Sequence, residues 1–87
     1  MLEKYYVHKS SYNNLKKELY RLAKKFYVLS GGVVQYEIRD ETIVRVPPKK
    51  RYGATIITIQ SSEKKYPKSL ESIIKNYKKV KFNLAPI

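Results

Sequence analysis

The segment Pro47-Pro48-Lys49-Lys50-Arg51-Tyr52-Gly53 puts three consecutive cations and an aromatic ring between a proline pair and a glycine. Stretches that read as β-strands flank it on both sides. Two prolines stop the preceding strand, and the glycine lets the next one begin. Lys and Arg neutralise phosphates and release their counterions, and a Tyr face stacks on a base or sugar. The chemistry expected of such a loop is capture of a polyanion. Arg45, on the strand before the loop, and Lys17, Arg21 and Lys24, on the back of a predicted helix, extend the cationic set.

A Lys-rich solvated surface is the ordinary explanation for such residues, and in heat-adapted proteins Lys and Glu rise together. Here 19 Lys+Arg stand against 7 Asp+Glu, for a formal net charge of +12. Acid does not rise with base, so the balance favours a polyanionic partner, a nucleic acid above all.

Other chemistries find weaker support. His8 is the single histidine, and its place near the chain end suits a surface or sheet-edge residue. Glu37, Asp40 and Glu41 gather at one turn, where acids are ordinary turn chemistry. Gly31-Gly32 has no following Gly-Lys-Ser/Thr element and suits termination of a helix or of the short segment after it. With no cysteine there is neither a disulfide nor a thiolate metal site. A metal-independent ribonuclease could use Lys50, Arg51 and Tyr52 to stabilise a phosphorane-like transition state, but no residue is singled out as general base. The expectation is no catalytic residue, no metal and no cofactor.

These side chains need a scaffold, and 87 residues allow one domain, 1–87. Hydrophobic residues make up 43%, an ordinary globular share, so a real core underlies the charged surface. The longest uncharged apolar run, Ala54 to Ile59, is far too short for a bilayer span, and Met1 to Tyr6 holds no apolar core of signal-peptide length. A cytoplasmic protein without membrane contact is expected. Nine tyrosines with two phenylalanines and no tryptophan suit either an A/T-rich genome or a surface built for nucleotide contact.

Leu2 to His8 reads as a first strand of imperfect alternation. Ser10 and Ser11 are N-cap candidates for a helix whose stripe is Tyr12, Leu15, Leu19, Leu22, Ala23 and Phe26. Val34, Tyr36 and Ile38 alternate as a strand, as do Thr42, Val44 and Val46 after the Asp40-Glu41 break. Ala54 to Gln60 is a β-branched strand, expected to be the most protected. Pro67 opens a second helix with Leu70, Ile73, Ile74 and Tyr77 as its stripe, and Val80, Phe82 and Leu84 form a last strand ended by Pro86. The order β-α-β-β-β-α-β predicts an α+β two-layer sandwich, with two helices on one face of a mostly antiparallel sheet.

From Ile43 onward the chain resembles the archaeal and eukaryotic large-subunit ribosomal protein numbered thirty-eight. That family follows a basic strand with Arg-Tyr-Leu-Tyr-Thr and then an apolar strand. Here Ile43-Val44-Arg45-Val46 is followed by Arg51-Tyr52-Gly53-Ala54-Thr55 and Ile56-Ile57-Thr58. Arg51, Tyr52 and Thr55 match; Gly53 and Ala54 do not, Pro47 to Lys50 is an insertion, and the first strand is foreign to the family. The element order is also similar to that of the Alu-RNA-binding subunits of the signal recognition particle. Both resemblances cover about two-thirds of the chain and imply RNA binding through the sheet and its loops.

The sequence thus leads to a non-enzymatic RNA-binding protein, a ribosomal or other ribonucleoprotein component whose partner is ribosomal RNA or another structured RNA, with a homodimer or ribonucleoprotein assembly open to it. DNA is the second choice of partner, through a small chromatin protein or viral regulator. The ribonuclease toxin and a virus-encoded inhibitor of a host protein are further alternatives.

Overall fold

The computed structural model describes residues 1–39 and 41–81. The first strand, β1 (Leu2–His8), runs straight into helix α1 (Lys9–Leu22). Tyr5 and Val7 are buried while Tyr6 and His8 are exposed, which settles the parity that the sequence left open. No residue is spare for a serine cap. The N-cap is His8, whose Nδ1 accepts the Ser10 N–H at 3.2 Å, so the expectation of Ser10 or Ser11 is corrected.

Tyr12, Leu15 and Leu19 form the buried stripe of α1. The helix stops at Leu22, with the Ala23 N–H closing on the Leu19 carbonyl at 2.9 Å. Phe26 is therefore not the last residue of the stripe. It lies in an additional strand, β2 (Lys25–Val28), paired antiparallel with β3 (Val34–Arg39). Its helical spacing from Leu22 is coincidental: Phe-Tyr-Val is strongly strand-favouring, and the ladder to β3 satisfies its backbone. Gly31 and Gly32 make the turn between β2 and β3, the segment after the helix.

Strands β4 (Thr42–Val46) and β5 (Ala54–Ser61) follow, then α2 (Lys68–Ile74) and the short β6 (Lys78–Lys79). The sheet order is β2-β3-β4-β5-β1-β6, antiparallel throughout. Tyr77, expected on the stripe of α2, lies beyond its end and still packs partly buried against the core. The last strand falls earlier than Val80, and Phe82, Leu84 and Pro86 lie outside the described residues.

Leu15 and Leu19 of α1 and Leu70 and Ile74 of α2 meet Val7, Val44, Val46, Ile57 and Ile59 in one core. All of these sheet residues share one face by register, so the architecture is a two-layer α+β sandwich with both helices on that face. Among the described residues no helix is long and apolar enough to cross a membrane.

At the β1–β6 side, Glu3 joins the inner face. Its carboxylate accepts from the Tyr5 hydroxyl at 3.1 Å and from the Tyr66 hydroxyl, and it pairs with the Lys79 ammonium. Burial pushes its pKa up. The hydrogen bonds from Lys79, Tyr66 and Tyr5 and the Lys79 charge outweigh that and hold it below the ordinary value. A carboxylate with a lower pKa folded than unfolded stabilises the fold above its unfolded value, and loses that contribution as pH falls through the folded one. Glu3→Gln should therefore lower stability by about 1–2 kcal/mol at neutral pH. In thermal melts the gap from the parent should close as pH falls below the ordinary carboxyl value of 4.5. Parallel melting curves across that window would remove the linkage.

Candidate nucleic-acid interface

Because both helices occupy one side, the other face of the sheet is uncovered among the described residues. Register fixes what it presents. Tyr27 stands opposite Gln35, Gln35 opposite Arg45, Arg45 opposite Thr58 and Thr58 opposite Lys4, one row across five strands. Four strand spacings make that row about 19 Å long. On one side of it lies Tyr6, opposite both Ile56 and Lys78. On the other side run Lys25, Glu37, Ile43, Gln60 and Leu2. Among the described residues the face thus carries Lys4, Lys25, Arg45 and Lys78 against Glu37 on its strands and Glu41, which borders it at the turn into β4 beside Lys4 and Arg45.

Arg45 is at the centre. Its Nε donates to Gln35 Oε1 at 3.0 Å and an η nitrogen to Gln60 Oε1 at 3.5 Å. A guanidinium has five N–H donors. These two go to neutral amides, which orient the group without neutralising it. Its cross-strand neighbour Thr58 and the half-buried Ile43 and Ile56 give it a flat, partly apolar floor.

The Pro47–Gly53 loop closes one end of β4 and β5. The Tyr12 hydroxyl of α1 donates to the Pro47 carbonyl at 2.7 Å, and the Lys50 N–H donates to Thr55 Oγ1 at 3.1 Å. Pro48 packs on the β2–β3 turn. A Cβ at Gly32 would come within 3.2 Å of its ring, and Gly32 has φ +80°, so glycine is required there twice over. Lys49, Lys50, Arg51 and Tyr52 are exposed on this anchored loop, Tyr52 by 78%.

The eight cationic and aromatic residues singled out from sequence do not converge. Arg45 lies on the open face, and Lys49, Lys50, Arg51 and Tyr52 lie on the loop at the end of the strand that carries it. Lys17 and Arg21 are exposed on α1 opposite its buried stripe, so they point away from the sheet on the far side of the molecule. Lys24 is not on the helix back. It sits in the connection to β2, its N–H bonded to the Glu37 carbonyl at 2.8 Å, because the helix ends before it.

Lys4, Tyr6, Lys25 and Tyr27 were missed. For Lys4 and Tyr6 the missing signal was the parity of β1: only once Tyr5 and Val7 are known to be buried must their neighbours share the Arg45 face. Extending the helical stripe to Phe26 hid Lys25 and Tyr27.

Among the described residues no group of acids and histidine could hold a metal ion, and the Asp40 part of the acidic turn lies outside them. His8 is spent on the helix cap and on Ser10 Oγ, 2.9 Å away. No family model, curated protein or solved structure matches this chain.

Proposed function

We propose that this protein is a non-enzymatic RNA-binding module that lays a single-stranded segment of RNA across its open sheet face, with the Pro47–Gly53 loop gripping phosphates at the rim. The observation that carries this reading is the cross-strand row Tyr27–Gln35–Arg45–Thr58–Lys4 with Tyr6 beside it. Aromatic rings offer stacking surfaces for unpaired bases, and cations spaced along the same surface follow the phosphates. A broad, shallow sheet suits splayed bases better than a duplex groove, which takes a helix or a two-stranded ribbon. Membership of a larger ribonucleoprotein particle follows from the same reading, because an RNA supplies the anions that a chain of net charge +12 lacks internally.

The test is salt titration of binding to a mixed-sequence single-stranded RNA of about 16 nucleotides. With about five phosphates neutralised, log K against log[salt] should fall with a slope of about −3.5. The RNA should be recovered intact with or without Mg²⁺. A flat salt dependence would remove the electrostatic reading in favour of a protein partner, and cleavage lost in Arg51→Ala would turn it into a ribonuclease.

A further inference from the structure

The two edges of the sheet are unlike. β6 is two lysines long, the short and charged kind of edge that resists pairing. β2 has no such guard. All four of its residues are exposed, Val28 by 71%, and with Tyr20 and Leu29 it holds five of the nine exposed large hydrophobic residues among those described. We propose that two copies of this chain join along β2, antiparallel, about a two-fold axis at Tyr27, so that their sheets become one.

The backbone supports that register. The Leu29 N–H bonds the Val33 carbonyl at 2.7 Å, and Tyr27 stands opposite Gln35. In an antiparallel ladder the residues bonded to one neighbour alternate with those bonded to the other. Tyr27 and Leu29 therefore face β3, and the N–H and C=O of Phe26 and Val28 point out from the edge. Pairing Phe26 with the partner's Val28, and Val28 with the partner's Phe26, makes four interchain hydrogen bonds. Tyr27 then meets its own copy as the non-hydrogen-bonded pair between them.

Side chains agree with the same arrangement. Phe26 and Val28 lie on the helix side, where Phe26 stacks on Tyr36 with centroids 6.4 Å apart and meets Tyr20 edge-on at 5.2 Å. Pairing at Tyr27 brings two such clusters together. A one-residue slip would set apolar residues of one copy against the other face of its partner. Lys25, the one charge on β2, stands opposite Glu37 in its own sheet and would lie at the outer ends of the paired segment, away from its copy. The paired segment thus sets no β2 charge against its own copy. A two-fold contact closes on itself, and with β6 guarded the assembly stops at the dimer.

The chain has no cysteine, so Tyr27→Cys introduces a single thiol on the axis. Non-hydrogen-bonded partners have Cα atoms about 4.5 Å apart, within disulfide range. Under mild oxidation of the nucleic-acid-free protein, Tyr27→Cys should form covalent dimer at least tenfold faster than Tyr52→Cys on the exposed loop. In sedimentation velocity the parent should shift from monomer to dimer with concentration. Val28→Pro removes only an outward N–H and should raise the dimer dissociation constant at least tenfold; if its circular dichroism is not native, Val28→Lys provides the same comparison. A parent that stays monomeric, a folded Val28 variant that dimerises like the parent, or equal cross-linking at positions 27 and 52 would each overturn the proposal.

Discussion

Leu19→Ala is expected to destabilise the domain by about 2–5 kcal/mol, and Ile57→Ala by a similar amount. Both side chains are 1% exposed, one at the helix side of the core and the other on the central strand β5. Each truncation removes buried methyl groups and leaves a cavity that rigid neighbours fill only in part. A domain of this size has a total stability of roughly 5–10 kcal/mol, so either change takes away a large fraction of it. Phe26→Ala should behave differently in the monomer. Its ring is 48% exposed, and the loss is confined to ring contacts with Tyr20 and Tyr36 worth about 1 kcal/mol. Urea unfolding at low protein concentration separates the three. A Phe26→Ala loss as large as that of Leu19→Ala would mean that the ring belongs to the core stripe of α1 after all.

That contrast marks how far the sequence could be read. Period-two alternation in Val34–Ile38 and Thr42–Val46 identified strands and their inward parity, because each buries one side only. The stripe Tyr12, Leu15, Leu19 and the run Leu70, Ile73, Ile74 identified two helices that must share a face of the sheet. Local pattern failed where a tertiary partner decided the outcome. Lys25 to Val28 becomes a strand because β3 is there to pair with it, and nothing in the preceding helical spacing announces that partner. His8 became the cap because β1 and α1 abut, a fact about chain geometry and not about residue preference. For the interface, charge and the proline-flanked loop were legible, since they are local. The open face was not, because it is assembled from single residues on five strands whose order only the fold provides.

The arrangement of cations on two sides of the molecule gives the binding prediction with the largest expected contrast. A strand laid on the open face meets Arg45 and not the Lys17–Arg21 flank, because the helical layer and the sheet lie between them. The double variant Tyr6→Ala/Arg45→Gln removes one stacking ring and the central charge of the open face. Stacking is worth about 1–3 kcal/mol per base, and a phosphate contact reduces the salt slope by about 1. Affinity for single-stranded RNA should fall at least about thirtyfold, which corresponds to about 2 kcal/mol. Tyr6 is on β1, four strands from the edge formed by β2, so the effect does not depend on dimerisation. Replacing Lys49, Lys50 and Arg51 together by Ser should come next, because the hydrogen bonds to Pro47 and Thr55 anchor the loop and reduce the ordering that binding requires. Lys17→Ser/Arg21→Ser should change affinity no more than Lys64, Lys65 and Lys68 replaced by Ser, a set on the connector into α2 and the helix's first residue whose effect is long-range charge alone. Fluorescence anisotropy at fixed salt ranks the four, with circular dichroism checking that each remains folded. If the helix pair costs as much as the face pair, the RNA lies across α1 and the open sheet is not its platform; if all four lose affinity in proportion to charge removed, the protein acts as a diffuse cation and the row centred on Arg45 has no special part.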